Sequence, residues 1–196
     1  MWQSGFNVLE AIARRAVFVA GCALLAAAAL VTVDVLCRKF LALTVSGSDE
    51  ISGYVFAAGT TWAYSYALLH RSNVRIDAIY NLFPLWIRAV LDVVGVSLLL
   101  LYMAIQTELA VGVFLESWEQ NSVAITTLAT PLWIPQLLWV VGLVLFMITL
   151  IFVAAFALAR LVAGDVAAVS KVAGVLTVDE EVEAEMHGID LDGKSV

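Results

Sequence analysis

Four long apolar stretches separated by short polar ones organise the chain. They run over about residues 16–43, 51–69, 89–115 and 131–159. A hydrocarbon core about 30 Å thick takes roughly 20 helical residues to cross, so each stretch predicts a membrane-spanning helix. The pattern predicts an all-α integral membrane protein of four long helices. The first and third exceed one perpendicular crossing and are expected to tilt. Ahead of the first stretch, Trp2, Phe6, Leu9, Ile12 and Ala13 recur at helical spacing with Glu10, Arg14 and Arg15 among them. This predicts an interfacial helix over residues 1–15. Arg14-Arg15 before an apolar run also resembles the basic region of a signal peptide, but the run is long and no cleavage site leads into a polar start. Between the second and third stretches, Ile76, Ile79, Tyr80, Phe83 and Ile87 share a helical face. They predict a second interfacial helix over about 74–87, with Trp86 as an anchor at the headgroup level.

The polar positions refine this picture. Asp34 lies near the end of the first stretch, and Arg38 follows four residues later on the same helix face. Thr44 to Ser48 is small and polar, as a tight connection requires. Ser48 is placed to cap the second helix, and Asp49 and Glu50 in its first turn face the positive end of the helix dipole. Gly59, Ala63 and Ala67 recur every four residues, a stripe on which another helix can pack closely. Asp92, Gln106 and Glu108 lie on the third stretch, and charge at membrane depth marks a packing or functional contact. Glu116 to Thr130 is the longest polar connection between stretches. Pro131 and Pro135 fall in the first turns of the fourth helix, where amides lack helical partners in any case. From residue 164 onward the chain is polar and acidic, and a largely mobile tail is expected.

With 63% hydrophobic residues, 14% charged and a mean hydropathy of +0.98, the composition excludes an ordinary soluble domain. Of the net charge of −7, −6 comes from Asp165 to Val196, where eight acids stand against Lys171 and Lys194. The rest of the chain is nearly neutral and carries no basic patch, so nucleic acid is not expected as a partner. Cys22 and Cys37 both belong to the first stretch and form no thiol motif. The cations orient the helices. With the N-terminus inside and four crossings, Arg14, Arg15, Arg71, Arg75, Arg88, Arg160, Lys171 and Lys194 fall on the cytoplasmic side, and only Arg38 and Lys39 fall outside. This predicts N-in, C-in. A haem anchor needs two facing imidazoles, whereas the sequence holds only His70 and His187. No phosphate loop, dinucleotide fingerprint or zinc-binding helix motif is present. No catalytic, cofactor or metal site is expected, and the chain does not read as an enzyme.

Several segments together resemble a known family. They are Arg38-Lys-Phe; Ser46-Gly-Ser-Asp-Glu-Ile-Ser-Gly53; Leu69-His-Arg-Ser-Asn-Val-Arg-Ile-Asp77; Leu82-Phe-Pro84; and Thr130-Pro-Leu-Trp-Ile-Pro135. In this order, across residues 10–160 of a four-span chain, they resemble the small membrane subunit (DctQ-like) of tripartite ATP-independent periplasmic (TRAP) transporters. The acidic tail lies outside the likeness. The resemblance implies a bacterial inner-membrane protein paired with a larger membrane subunit that carries sodium and substrate by an elevator movement. A soluble periplasmic protein captures the substrate, often an organic acid, and docks on the membrane pair. The small subunit is then a fixed brace in the bilayer and part of the docking surface.

On that reading Asp34, Arg38, Asp49 and Glu50 are expected to form a polar cluster at the outer end of the first two spans. Arg38 either pairs with Glu50 to lock the helices or meets the larger subunit; the plain alternative is a solvated cluster of helix-end charges. Ser46, Asp49, Glu116 and Glu119 are the candidate docking residues. His70, Arg71, Arg75, Trp86 and Arg88 are expected to anchor the inner interface and contact membrane lipid. The rival reading is a stand-alone four-span scaffold or assembly protein. The orientation is checked by cysteine accessibility. A cysteine at Ser122 is expected to react with an impermeant reagent from outside, and one at Ser195 only after the membrane is opened. Labelling of both from the same side would refute four crossings.

Overall fold

The computed structural model describes residues 2–44, 46–72 and 83–174. The described secondary structure is helical, apart from one isolated bridge between Val123 and Pro131. Helix α1 is Trp2–Leu41, α2 is Ser48–Leu69, α3 is Leu85–Glu119, α4 is Trp133–Val162 and α5 is Val166–Ala173. Three of these, α1, α3 and α4, are long and apolar enough to cross a membrane. Their outer faces carry side chains such as Phe18, Leu25, Leu98, Leu101 and Leu109, all largely exposed, a distribution that demands an apolar solvent. The chain is a multi-pass membrane protein. Helix α2 has the length to cross, 22 residues or about 33 Å. It has no membrane-length window as apolar as those of α1, α3 and α4, because Tyr54, Thr60, Thr61, Tyr64, Ser65 and Tyr66 lie along it.

Helix α1 runs unbroken through residue 15, where the pattern predicts a division between an interfacial piece and a span. No proline falls within it, and Ala13 and Ala16 on either side of the expected boundary are both buried. Pro84 precedes α3 and its carbonyl accepts from the amides of Ile87 and Arg88, so residues 85–87 belong to α3. Most of the second expected interfacial helix, with Arg75, lies outside the described residues, as does the tail beyond residue 174.

The chain divides into two units. The first comprises residues 1–70 and 98–152. Within it α2 packs on α1 on one side and on α4 on the other. Gly59 lies against Leu24 and Ala20 of α1, which gives the predicted small-residue stripe a partner at its first position. Opposite, Gly142 of α4 meets Thr61 and Trp62 of α2. A Cβ at residue 142 would stand 2.3 Å from the Thr61 hydroxyl oxygen and 2.5 Å from Cδ1 of Trp62. That approach brings α2 donors onto α4 carbonyls. Trp62 Nε1 donates to Leu138 at 2.8 Å, and Thr61 Oγ1 donates to Trp139 at 3.3 Å. A helical carbonyl keeps a second lone pair after its own turn is closed, so both bonds add to the helix rather than break it. Thr61 and Ser65 of α2 are both buried. At the other end of α1, Phe152 of α4 packs against the rings of Phe6 and Trp2, with centroids 4.9 and 5.2 Å away.

The second unit comprises residues 71–97 and 153–196. Ala89, Val96, Val153, Ala157 and Val169 are among its buried apolar positions, and Asp92 is buried among its polar ones. Asp165 caps α5 by accepting from the amide of Ala168 at 3.2 Å, and pairs with Arg160 at 3.5 Å.

Gly142→Ala is expected to destabilise the detergent-solubilised protein by about 1–3 kcal/mol through overpacking. Gly112→Ala is the control, because a methyl group there would meet no neighbouring atom within 4 Å. Equal Tm values for the two variants would refute the close approach of α2 to α4.

Candidate functional site

The polar residues singled out in the sequence converge on one end of the first unit, where α1 ends, α2 begins and the segment 120–132 joins α3 to α4. Two clusters form there. The first is built on Asp34, which is 1% exposed. Arg38 Nη2 lies 2.5 Å from its Oδ2, and Ser48 Oγ donates to the same oxygen at 3.0 Å. A buried carboxylate is tolerated only with such donors. Ser48 is thus the first residue of α2 and not its cap. The cap position falls to Gly47, in a left-handed conformation at φ 87°, while the Ser48 hydroxyl ties α2 back to α1.

The second cluster is built on Glu50. Tyr54, four residues on, donates its hydroxyl to Oε1 at 2.6 Å. Oε2 is closed off from solvent yet takes no hydrogen bond of good geometry. The hydroxyls of Thr126, Tyr54 and Thr130 hold the Glu50 carboxyl below the ordinary carboxylate range, against an opposing effect of burial. Arg38 and Glu50, expected as a possible pair, are therefore not partners. Arg38 reaches Asp34 on its own helix face with no connection to cross, and Glu50 turns to Tyr54 and to the 120–132 segment.

That segment is a built loop. Ala124 donates its amide to Thr130 at 2.9 Å, Leu132 to Ser122 at 3.0 Å and Ala129 to Thr126 at 3.1 Å. Asn121 and Ala129 take positive φ, at 49° and 47°, where the chain reverses. It is fastened to the α1–α2 corner at two further points. Ser46 Oγ donates to Thr127 Oγ1 at 2.6 Å, and Leu128 covers Gly47 so closely that a Cβ there would stand 2.1 Å from the leucine Cδ1. Gly47 is required twice over, by its backbone angle and by this contact. At the foot of the loop Trp118 meets Trp133 edge-on at 4.9 Å.

Of the expected docking residues, Ser46, Asp49, Glu116 and Glu119 are all exposed at this end. Glu116 accepts from Gln120 Nε2 at 3.0 Å. Of the expected anchors, Arg75 lies outside the described residues. His70 closes α2, with its ring 4.0 Å from that of Tyr66. In the second unit Arg71 donates to the carbonyl of Ser170 at 3.3 Å, Arg88 to that of Phe83 at 2.7 Å, and Trp86 is exposed. Tyr54, Thr126, Thr127 and Leu128 were not singled out in the sequence, and Gly47 and Thr130 figured within the segments that carry the family resemblance. Only Tyr54 carried a signal, its spacing of four from Glu50. The loop residues meet their partners across about 80 positions of chain, which no local pattern records.

Gly47→Val is expected to cost about 1–3 kcal/mol from the left-handed backbone alone. It should also speed amide exchange at Ala124 and Leu132, the residues that close the loop. Glu50→Ala should speed the same amides, and Asp49→Ala should leave them unchanged. A carboxyl held low contributes fully above the usual carboxylate value and loses its contribution as pH falls through the lowered one, so this fastening should not vary above about pH 5. Protection at those two amides that ignores Gly47→Val and Glu50→Ala alike would disprove the fastening.

Comparison with known proteins bears on this arrangement directly. The family model described as the DctQ component of tripartite ATP-independent periplasmic transporters matches residues 27–161. The matched range holds both polar clusters and the whole 120–132 loop. No curated protein and no solved structure matches the chain.

Proposed function

The chain belongs to the DctQ family of TRAP transporter components, and on that premise we propose that it is the fixed membrane brace of a sodium-driven importer of organic acids. Its larger partner in the inner membrane carries the solute. Its own role is to hold that partner's moving part against a static frame and to present a surface to the soluble substrate-binding protein. In this reading α2 is the fourth crossing, both termini are cytoplasmic, and the end built around Asp34 and Glu50 faces the periplasm.

The observation that carries the proposal is the way α2 is held. Three of its polar side chains bond to neighbouring helices: Thr61 and Trp62 to α4 carbonyls, and Ser48 to Asp34. The cavity beside it, lined by Val19, Ala23, Tyr54, Ala58, Trp62 and Leu138, is almost wholly apolar and suits neither an ion nor an organic acid. Close glycine contacts and interhelical hydrogen bonds favour one rigid arrangement, which suits a reference against which another body slides. A rigid apolar bundle conducts nothing by itself.

The experiment is reconstitution. Tagged chain extracted from its native membrane is expected to bring down a larger many-span subunit. In vesicles with an inward sodium gradient, uptake of a labelled organic acid is expected only when both membrane proteins and the soluble binding protein are present. Accumulation by this chain alone, or full transport by the larger subunit without it, would overturn the brace.

A further inference from the structure

The loop between α3 and α4 holds an apolar side chain out where nothing covers it. Ile125 is fully exposed, and Val123, two residues earlier, is half exposed. Val123 bridges to Pro131 and Ala124 bonds to Thr130, and the chain bends at Ile125 directly after this paired stretch. A floppy loop would fold such residues away from water. This one cannot, because the Ala124, Ala129 and Leu132 amides, the Ser46–Thr127 bond and the seat of Leu128 on Gly47 set its path. The result is a fastened loop with an apolar knob.

Two observations choose the occupant. The same end of the first unit carries exposed acids, Asp49 on the α2 head and Glu116 and Glu119 at the end of α3. Among the described residues the cations of this end are Lys39 and Arg38, and Arg38 is already on Asp34. Exposed acids repel anionic headgroups and attract a basic surface. The paired indoles of Trp118 and Trp133 lie at the foot of the loop, and tryptophan favours the headgroup level, which leaves the loop beyond it in water. Exposed apolar side chains on a polar, charged end suit a protein–protein contact.

We infer that Ile125, with Val123, is the apolar centre of the docking surface and seats in an apolar depression rimmed by Lys or Arg on the soluble substrate-binding protein. This rests on the function proposed above, which places the loop on the periplasmic side. It adds the contact that holds the partner: a hydrophobic knob, with the acids Glu116 and Glu119 steering the approach.

The test uses the complex of this chain with its larger subunit in lipid nanodiscs and the purified soluble binding protein of the same transporter. Ile125→Asp is expected to raise the Kd at least about tenfold, the size of a central interface residue. Recovery of the membrane complex and its Tm should not change. Glu119→Lys should also weaken binding, with an effect that fades as salt is raised, whereas the Ile125→Asp effect should persist. An unchanged Kd for Ile125→Asp overturns the knob, and if Glu119→Lys still weakens binding the proposed function survives it. No binding to the wild-type complex at all overturns both. In a Cys22→Ala, Cys37→Ala background, an environment-sensitive dye on Ile125→Cys should report water until the binding protein is added. An apolar signal beforehand would assign the knob to lipid and overturn the inference.

Discussion

In the four-span arrangement proposed above, helix α2 carries too many polar side chains to stand in lipid on its own, and much of the first unit answers that constraint. In a bilayer no water waits for an unmet hydroxyl or indole N–H, so α2 must find its partners inside the protein. It finds them on both sides. Small residues let α1 lie close against Gly59, and Gly142 lets Thr61 and Trp62 reach carbonyls of α4. Hydrogen bonds of this kind contribute modestly in membranes, about 0.6 kcal/mol on average. Their larger effect is to allow only one rotation of α2 about its axis, since any other turns hydroxyls toward acyl chains.

That rotation fixes what the head of α2 can do. Once Thr61 faces α4, Ser48 meets Asp34 and Glu50 meets the 120–132 loop. The two clusters therefore have different duties although Ser48 and Glu50 are only two positions apart. Asp34 joins α1 to α2 in a buried setting, with Arg38 half exposed as its counter-ion. Glu50 accepts from Tyr54 within α2, while the loop is joined to the corner by Ser46–Thr127 and the Leu128 contact on Gly47. A polar loop at a membrane surface would ordinarily be the loosest part of such a chain. Here it is fastened at two places to a corner that is itself held by helix packing.

A fastened corner matters for a DctQ-type component in particular. In the role proposed above, the chain is the stationary body of an elevator, which works by displacement of one body relative to another, and it has to resist that force. A soluble partner that docks on the same complex needs a surface whose geometry does not drift. On that proposal, rigidity in the bilayer and a preformed loop outside it are two consequences of the same helix packing.

The apolar stretches by themselves determined the class of this protein, because helix length and apolarity are set by the bilayer's thickness and leave their record locally in the chain. The Asp34–Arg38 relation and the proximity of Glu50 to Tyr54 were likewise readable, being one-turn spacings on a single helix. Family membership was legible from short segments in their order. The tertiary structure alone decided that Ser48 serves Asp34 instead of capping α2, that Glu50 turns away from Arg38, and that α1 passes residue 15 without a break. It alone brought Thr126 and Thr127 to the α1–α2 corner. The physical reason is distance along the chain: a helix face repeats every few residues and can be counted, but which hydroxyl meets which carboxylate across some 80 residues depends on how the helices rotate to hide their polar sides.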